Sequence, residues 1–125
     1  MRFNARLDRA EDSGVITKAT LRAAERLGIK NNVLARIVGV SEPTVSRMRK
    51  GGHRLERGQK SFELAILFVR LYRSLDAIVG GDDAVAADWL KNTNVALDAT
   101  PIEMIQTIAG LTNVIAYLDS RRAVT

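Results

Sequence analysis

Thr44, Ser46, Arg47, Arg49 and Lys50 follow one another closely, a density of hydrogen-bond donors suited to phosphates and base edges. A guanidinium is planar and permanently charged, and its fork can engage guanine O6 and N7 together. An ammonium is a point charge better matched to a phosphate. Glu42, just upstream, adds an acceptor suited to cytosine N4, and Ser41 and Pro43 complete the neighbourhood. Parts for catalysis are lacking. The chain has no cysteine and one histidine, His53, which reads as a solvated loop residue. Its serines and acids have no histidine base, metal-ligand spacing or phosphate-cradling glycine loop beside them, so a non-enzymatic protein without cofactor or metal is expected.

The elements that must carry these groups are legible on either side. Val33, Leu34, Ile37 and Val38 form one face of a short helix. Gly39 stands where that helix must stop at positive φ. Val40 plugs the turn, Ser41 is a favourable N-cap, and Pro43 falls in a first turn where a missing N–H is harmless. Val45 and Met48 give the second helix an inner edge, with Glu42, Thr44, Ser46, Arg47, Arg49 and Lys50 outside and Gly51-Gly52 at its end. Two helices joined by such a turn are a helix-turn-helix signature, the second helix entering the major groove. The stretch Asn31 to Gly51 resembles the Xre/phage-repressor type, particularly in L-A-R-I-V-G-V-S and T-V-S-R. Arg47 is then the central base reader. Asn31, Asn32, Arg49 and Lys50 are expected phosphate anchors, which fix register and carry little sequence information. The alternative is an ordinary helical hairpin with a charged outer side.

Charge distribution favours the first reading. Residues 1–60 hold 14 Lys/Arg against 6 Asp/Glu, whereas residues 61–125 hold 5 against 8. Such asymmetry points to partners of opposite character. At 125 residues and 46% hydrophobic, the chain has enough material for one cored domain. No uncharged apolar run approaches the about 18 residues of a membrane span, and M-R-F-N-A-R-L-D-R lacks a signal-peptide core. With no cysteines, a cytoplasmic location is expected.

Along the chain, residues 1–16 read as an N-terminal arm, either flexible or with a short helix around Phe3 to Ala10. Thr17 suits the cap of a supporting helix from Lys18 to Leu27, with Leu21, Ala24 and Leu27 inside and Gly28 closing it. After Gly51 a cationic loop follows; Arg54, Arg57 and Lys60 either track a DNA backbone or are solvated linker. Ser61 to Val79 is the longest expected helix. Leu64, Phe68, Leu71, Leu75 and Ile78 form one stripe and Phe62, Ile66 and Val69 a second, implying burial on two sides or a dimer contact. Asp82-Asp83 open a further helix anchored by Trp89 and Leu90. Thr100-Pro101-Ile102-Glu103 has the form of a capping box, with Met104, Ile105 and Ile108 inward and Gly110 ending that helix. Leu111, Val114, Ile115 and Leu118 mark an amphipathic last helix, closed by Arg121 and Arg122.

This second half resembles the toxin-binding domain of the Xre/MbcA/ParS antitoxins. Asn94, Ala96, Leu97, Thr100, Pro101, Gly110, Val114, Tyr117 and Leu118 fall on that pattern, and V-R-L-Y-R-S-L-D-A-I-V-G-G-D from Val69 is similar too. Asp98 and Ala99 depart from it, standing where the family commonly has a Gly pair. The resemblance implies an all-α fold, an Xre-like helix-turn-helix domain followed by a small helical toxin-binding domain. It divides the chain into residues 17–60 for DNA, a joining helix at 61–81, and residues 82–125 for toxin. It implies a RES-type, NAD⁺-consuming toxin partner whose cleft is obstructed, and a homodimer repressing its own promoter at operator DNA. Toxin contacts would then fall on Asn113, Tyr117, Asp119, Ser120, Arg121, Arg122, Ala123, Val124 and Thr125. For the two arginines, helix C-capping is the competing role. A plain Xre-type repressor, dimerising through its second half, is the alternative for the whole.

Overall fold

The computed structural model describes the backbone of residues 5–124 and the side chains of residues 12–123. Seven helices follow in order: α1 (Ala5–Arg26), α2 (Asn31–Val38), α3 (Glu42–Arg49), α4 (Lys60–Ile78), α5 (Asp83–Lys91), α6 (Pro101–Met104) and α7 (Ile108–Val124). Among the described residues the only extended pairing is an isolated antiparallel bridge between Asn94 and Ala99. The all-α expectation holds.

α4 is the axis of the molecule. It buries Phe62, Ala65, Phe68, Val69, Leu71, Ser74 and Leu75, packing on α1 and α2 on one side and on α7 on the other. A single apolar cluster therefore runs from Leu34, Val38 and Val45 through Phe68 and Leu71 to Leu111, Val114 and Leu118. Of the two stripes read along this helix, Phe62, Phe68, Val69, Leu71 and Leu75 are buried and Leu64 is half-buried. Ile66 and Ile78 remain 42% and 40% exposed, the latter at the C-terminal end of the helix.

The α2–α3 unit forms as its local signals require. Gly39 adopts φ 74°, its N–H reaching Ala35 O, and Ser41 Oγ caps α3 by accepting from Thr44 N at 3.2 Å. Leu34, Ile37, Val38, Val45 and Met48 are buried between the helices.

Four expectations are corrected. First, no boundary falls at residue 16: α1 is one helix from Ala5, while Met1 to Asn4 lie outside the described residues. Thr17 is not a cap. Its buried hydroxyl donates back to Ser13 O at 2.6 Å and accepts Leu55 N at 3.0 Å, tying α1 to the loop after α3. A polar residue inside a helix is tolerated when its hydroxyl satisfies the turn above and a buried amide elsewhere. Second, Gly110 lies inside α7 and ends nothing. A Cβ there would sit 1.9 Å from Met104 O, so glycine is needed for close approach of two backbones. Third, the capping box does not close: Thr100 makes no side-chain cap bond, and its hydroxyl faces Thr93 at 3.5 Å. Thr107 instead caps the next helix, its Oγ1 accepting from Gly110 N at 3.1 Å. Fourth, Ile108 is 58% exposed, because the chain turns between Met104 and Ile108 and points it outward; Ile105 alone is fully buried there.

The connector between α5 and α6 keeps the turn that a glycine would favour. Asp98 takes φ 54°, the one positive φ among the described non-glycine residues. Aspartate tolerates this region better than branched side chains do. Asp98→Val should therefore lower stability by about 1–2 kcal/mol, whereas Asp98→Gly should be neutral or gain up to about 1 kcal/mol. Urea midpoints of the two variants distinguish this from an unstrained turn, in which Gly would be the worse of the two.

Candidate functional site

Two surfaces on opposite sides of α4 collect the residues singled out above. The first is the outer side of α3. Ser41 and Thr44 hydroxyls lie 2.8 Å apart, and Arg47 Nη2 donates to Thr44 Oγ1 at 3.0 Å. One turn separates each from the next, so they line a single ledge beside buried Val45 and Met48. The hydrogen bond to Thr44 uses one of the five N–H groups of Arg47, leaving the fork free for a base edge and holding it along the ledge beforehand. Glu42, Pro43, Arg47, Arg49 and Lys50 are exposed, with Thr44 and Ser46 half-buried beside them.

Asn31 and Arg49 are not independent. Arg49 Nε donates to Asn31 Oδ1 at 2.6 Å, fastening the end of α3 to the start of α2. Two expected phosphate anchors are thereby held at one spot, with Asn32 exposed alongside. Lys50 and Arg54 are exposed in the following turn and loop. Arg57, by contrast, turns toward α1 and pairs with Asp12 at 2.6 Å. Both partners are substantially exposed, so the pair contributes well under ~1 kcal/mol and serves to place the loop.

The second surface is formed by α5 and the outer side of α7. Trp89 and Tyr117 stack with centroids 6.3 Å apart and planes within 10°. The guanidinium of Arg121 lies 6.0 Å from the Tyr117 centroid, extending the stack by a cation. Asn113, Ser120, Arg121 and Ala123 are exposed, Ser120 Oγ donating to Tyr117 O at 2.7 Å. Trp89 is half-buried at the edge of the stack, so it belongs to this surface as well as to the core. Spacing within α5 marks Trp89 as a helix anchor but does not reveal Tyr117 as its neighbour.

Asp119 and Arg122 face elsewhere. Asp119 accepts from Arg70 Nη2 at 2.6 Å and from Ser74 Oγ at 3.0 Å, while Arg122 Nη1 donates to the same Ser74 Oγ at 3.2 Å. These residues clamp the end of α7 onto α4. Of the expected pair of arginines, only Arg121 stands on the aromatic surface. The side chain of Val124 and all of Thr125 lie outside the described residues.

Two further contacts join the helices between these surfaces. Arg36 Nη1 on α2 reaches Gln106 Oε1 at 3.4 Å, beside the α6–α7 corner. Arg26 at the end of α1 donates to Tyr72 Oη of α4 at 3.1 Å. That hydrogen bond and the electrostatic attraction of the Tyr72 oxygen raise the Arg26 pKa above its ordinary value, with smaller help from Asp83 and Asp76. Among the described residues, no helix is long and apolar enough to cross a membrane, and no cluster of His, Cys, Asp or Glu has the makings of a metal site.

Comparison with known families covers nearly the whole chain. Residues 6–70 match the model of the antitoxin Xre-like helix-turn-helix domain. Residues 74–123 match that of the antitoxin Xre/MbcA/ParS C-terminal toxin-binding domain. No curated protein matches the chain. The junction between the two matches falls within α4, the helix that both surfaces share.

Proposed function

Since the chain belongs to the Xre/MbcA/ParS-type antitoxins, we propose that it neutralises a RES-type, NAD⁺-consuming toxin and represses its own promoter as a homodimer. The helix-turn-helix region reads operator DNA through Arg47, with Asn31, Asn32, Arg49, Lys50 and Arg54 on phosphates. Ser41, Glu42, Pro43, Thr44 and Ser46 flank the base-reading position. The toxin is held by the other surface, where Tyr117 and Arg121 approach the mouth of its cleft and Asn113, Ser120 and Ala123 line the contact. No cofactor is needed on the antitoxin side.

The observation that carries this reading is the Trp89–Tyr117–Arg121 stack on α5 and α7. Amphipathic aromatic rings beside an arginine are the composition of interface hot spots.

Co-expression with the reading frame adjacent to its gene tests the proposal. The full chain should restore growth, and Arg121→Asp should weaken the rescue by an amount that Arg47→Ala does not. Removing residues 82–125 is the poorer test, because it strips α7 from α4 and exposes Leu71 and Leu75. Failure of the intact chain to rescue would leave the plain repressor as the better account.

A further inference from the structure

The turn between α5 and α6 sets an apolar side chain in water on a fixed backbone. Val95 is 95% exposed, more than any other large hydrophobic residue among those described. Its surroundings hold it there. Asn94 N donates to Ala99 O at 2.9 Å, and Asn94 Oδ1 accepts from Leu97 N at 3.0 Å. Leu97 packs against the core, and Asp98 closes the turn at φ 54°. A single exposed valine is ordinary on a protein surface. An exposed valine whose turn is pinned at both ends and anchored by a packed leucine is pre-ordered for contact, so binding through it costs little conformational entropy.

Its position indicates the occupant. Among the described residues six large hydrophobic side chains are exposed, and four of them, Ile78, Val85, Val95 and Ile108, fall within residues 74–123. That region matches the toxin-binding domain. It also carries more acids than cations, which excludes a nucleic-acid backbone as the surface opposite. The remaining candidate is a protein with an apolar hollow.

We infer that Val95 is a knob that seats in an apolar hollow on the toxin, making the Asn94–Ala99 turn a point of contact separate from the Tyr117–Arg121 end of α7. This rests on the antitoxin reading above. It gives the toxin two footholds on one rigid unit, an apolar one at the connector and a cationic, aromatic one on α7.

Calorimetric titration of the full-length chain with the purified product of the adjacent reading frame tests it. Val95→Asp should raise the Kd by roughly tenfold to a hundredfold, the loss expected for an apolar anchor. Val95→Ser should raise it less, and Val95→Ile should stay within about threefold of wild type. Because the side chain touches little of its own protein, the melting temperature and operator binding of all three should match wild type. Wild-type affinity in Val95→Asp, with affinity lost in Arg121→Asp, overturns this inference and leaves the antitoxin reading standing. No binding by the wild-type chain overturns both. Weakened self-association with toxin affinity unchanged also overturns it, assigning the tip to a second copy of the chain.

Discussion

Gly110→Ala should lower stability by about 3 kcal/mol or more, the upper range for overpacking a site that cannot relax. For a chain of this size that corresponds to a fall in Tm of roughly 10 °C or more. The reason is geometric. The added carbon would meet Met104 O at 1.9 Å and Met104 C at 2.6 Å, and both are backbone atoms that no rotamer change can withdraw. Nor can that carbonyl swing aside freely, since it accepts from Thr107 N at 3.3 Å and from Thr107 Oγ1 at 3.3 Å. The same Thr107 caps α7 through Gly110 N. Relieving the clash therefore breaks the cap, shifts α7 along α4, and disturbs the footing of Tyr117 and Arg121. Thermal denaturation by circular dichroism is the check. A Tm within about 2 °C of wild type would show that the corner yields more easily than its hydrogen bonds indicate.

Arg47→Ala should weaken operator binding by about 1–3 kcal/mol, roughly fivefold to two-hundredfold, and flatten the preference for operator over unrelated DNA. The ledge of Ser41, Thr44 and Arg47 makes this more than the removal of one charge. Thr44 Oγ1 holds the guanidinium at 3.0 Å before DNA arrives, so the variant loses a base contact that is pre-aimed. Lys50→Ala provides the contrast. It should weaken operator and unrelated DNA alike and reduce the salt dependence by about one unit of slope. The measurement is a fluorescence anisotropy titration across a salt series with both DNAs. If Arg47→Ala lost affinity equally for the two DNAs, Arg47 would be a phosphate contact and the reader would lie elsewhere on α3. Bound as the proposed homodimer, the protein should protect an inverted repeat with half-sites about 34 Å apart or a multiple of that.

The α2–α3 unit was legible because its requirements are local. Positive φ at Gly39, the Ser41 cap and Pro43 in the first turn each depend on a few neighbouring residues, and each is met. The apolar stripe of Leu111, Val114, Ile115 and Leu118 was legible for the same reason, since period alone places it inside. Misreadings arose where a distant partner decided the matter. Thr17 has the composition of a cap, but Leu55, far along the chain, claims its hydroxyl. Gly110 has the composition of a stop, but the nearness of Met104 explains it. Asp119 and Arg122 sit in a terminal segment that looks free; Arg70 and Ser74 of α4 hold them. Part of the candidate site was hidden in the same way. Tyr117 and Arg121 could be named from the last helix, yet the stack with Trp89 exists only because α5 is folded beside it.

The placement of α4 between the two surfaces bears on how the molecule is destroyed. With one apolar interior serving both ends, a cut that separates the halves leaves each with part of that interior exposed to water. A protease that pries the last helix from α4 bares part of the interior on which the α2–α3 unit also rests, so on the proposed function the hold on toxin and the repression of the promoter would weaken together. Turnover of this chain would then act as one switch for both proposed activities.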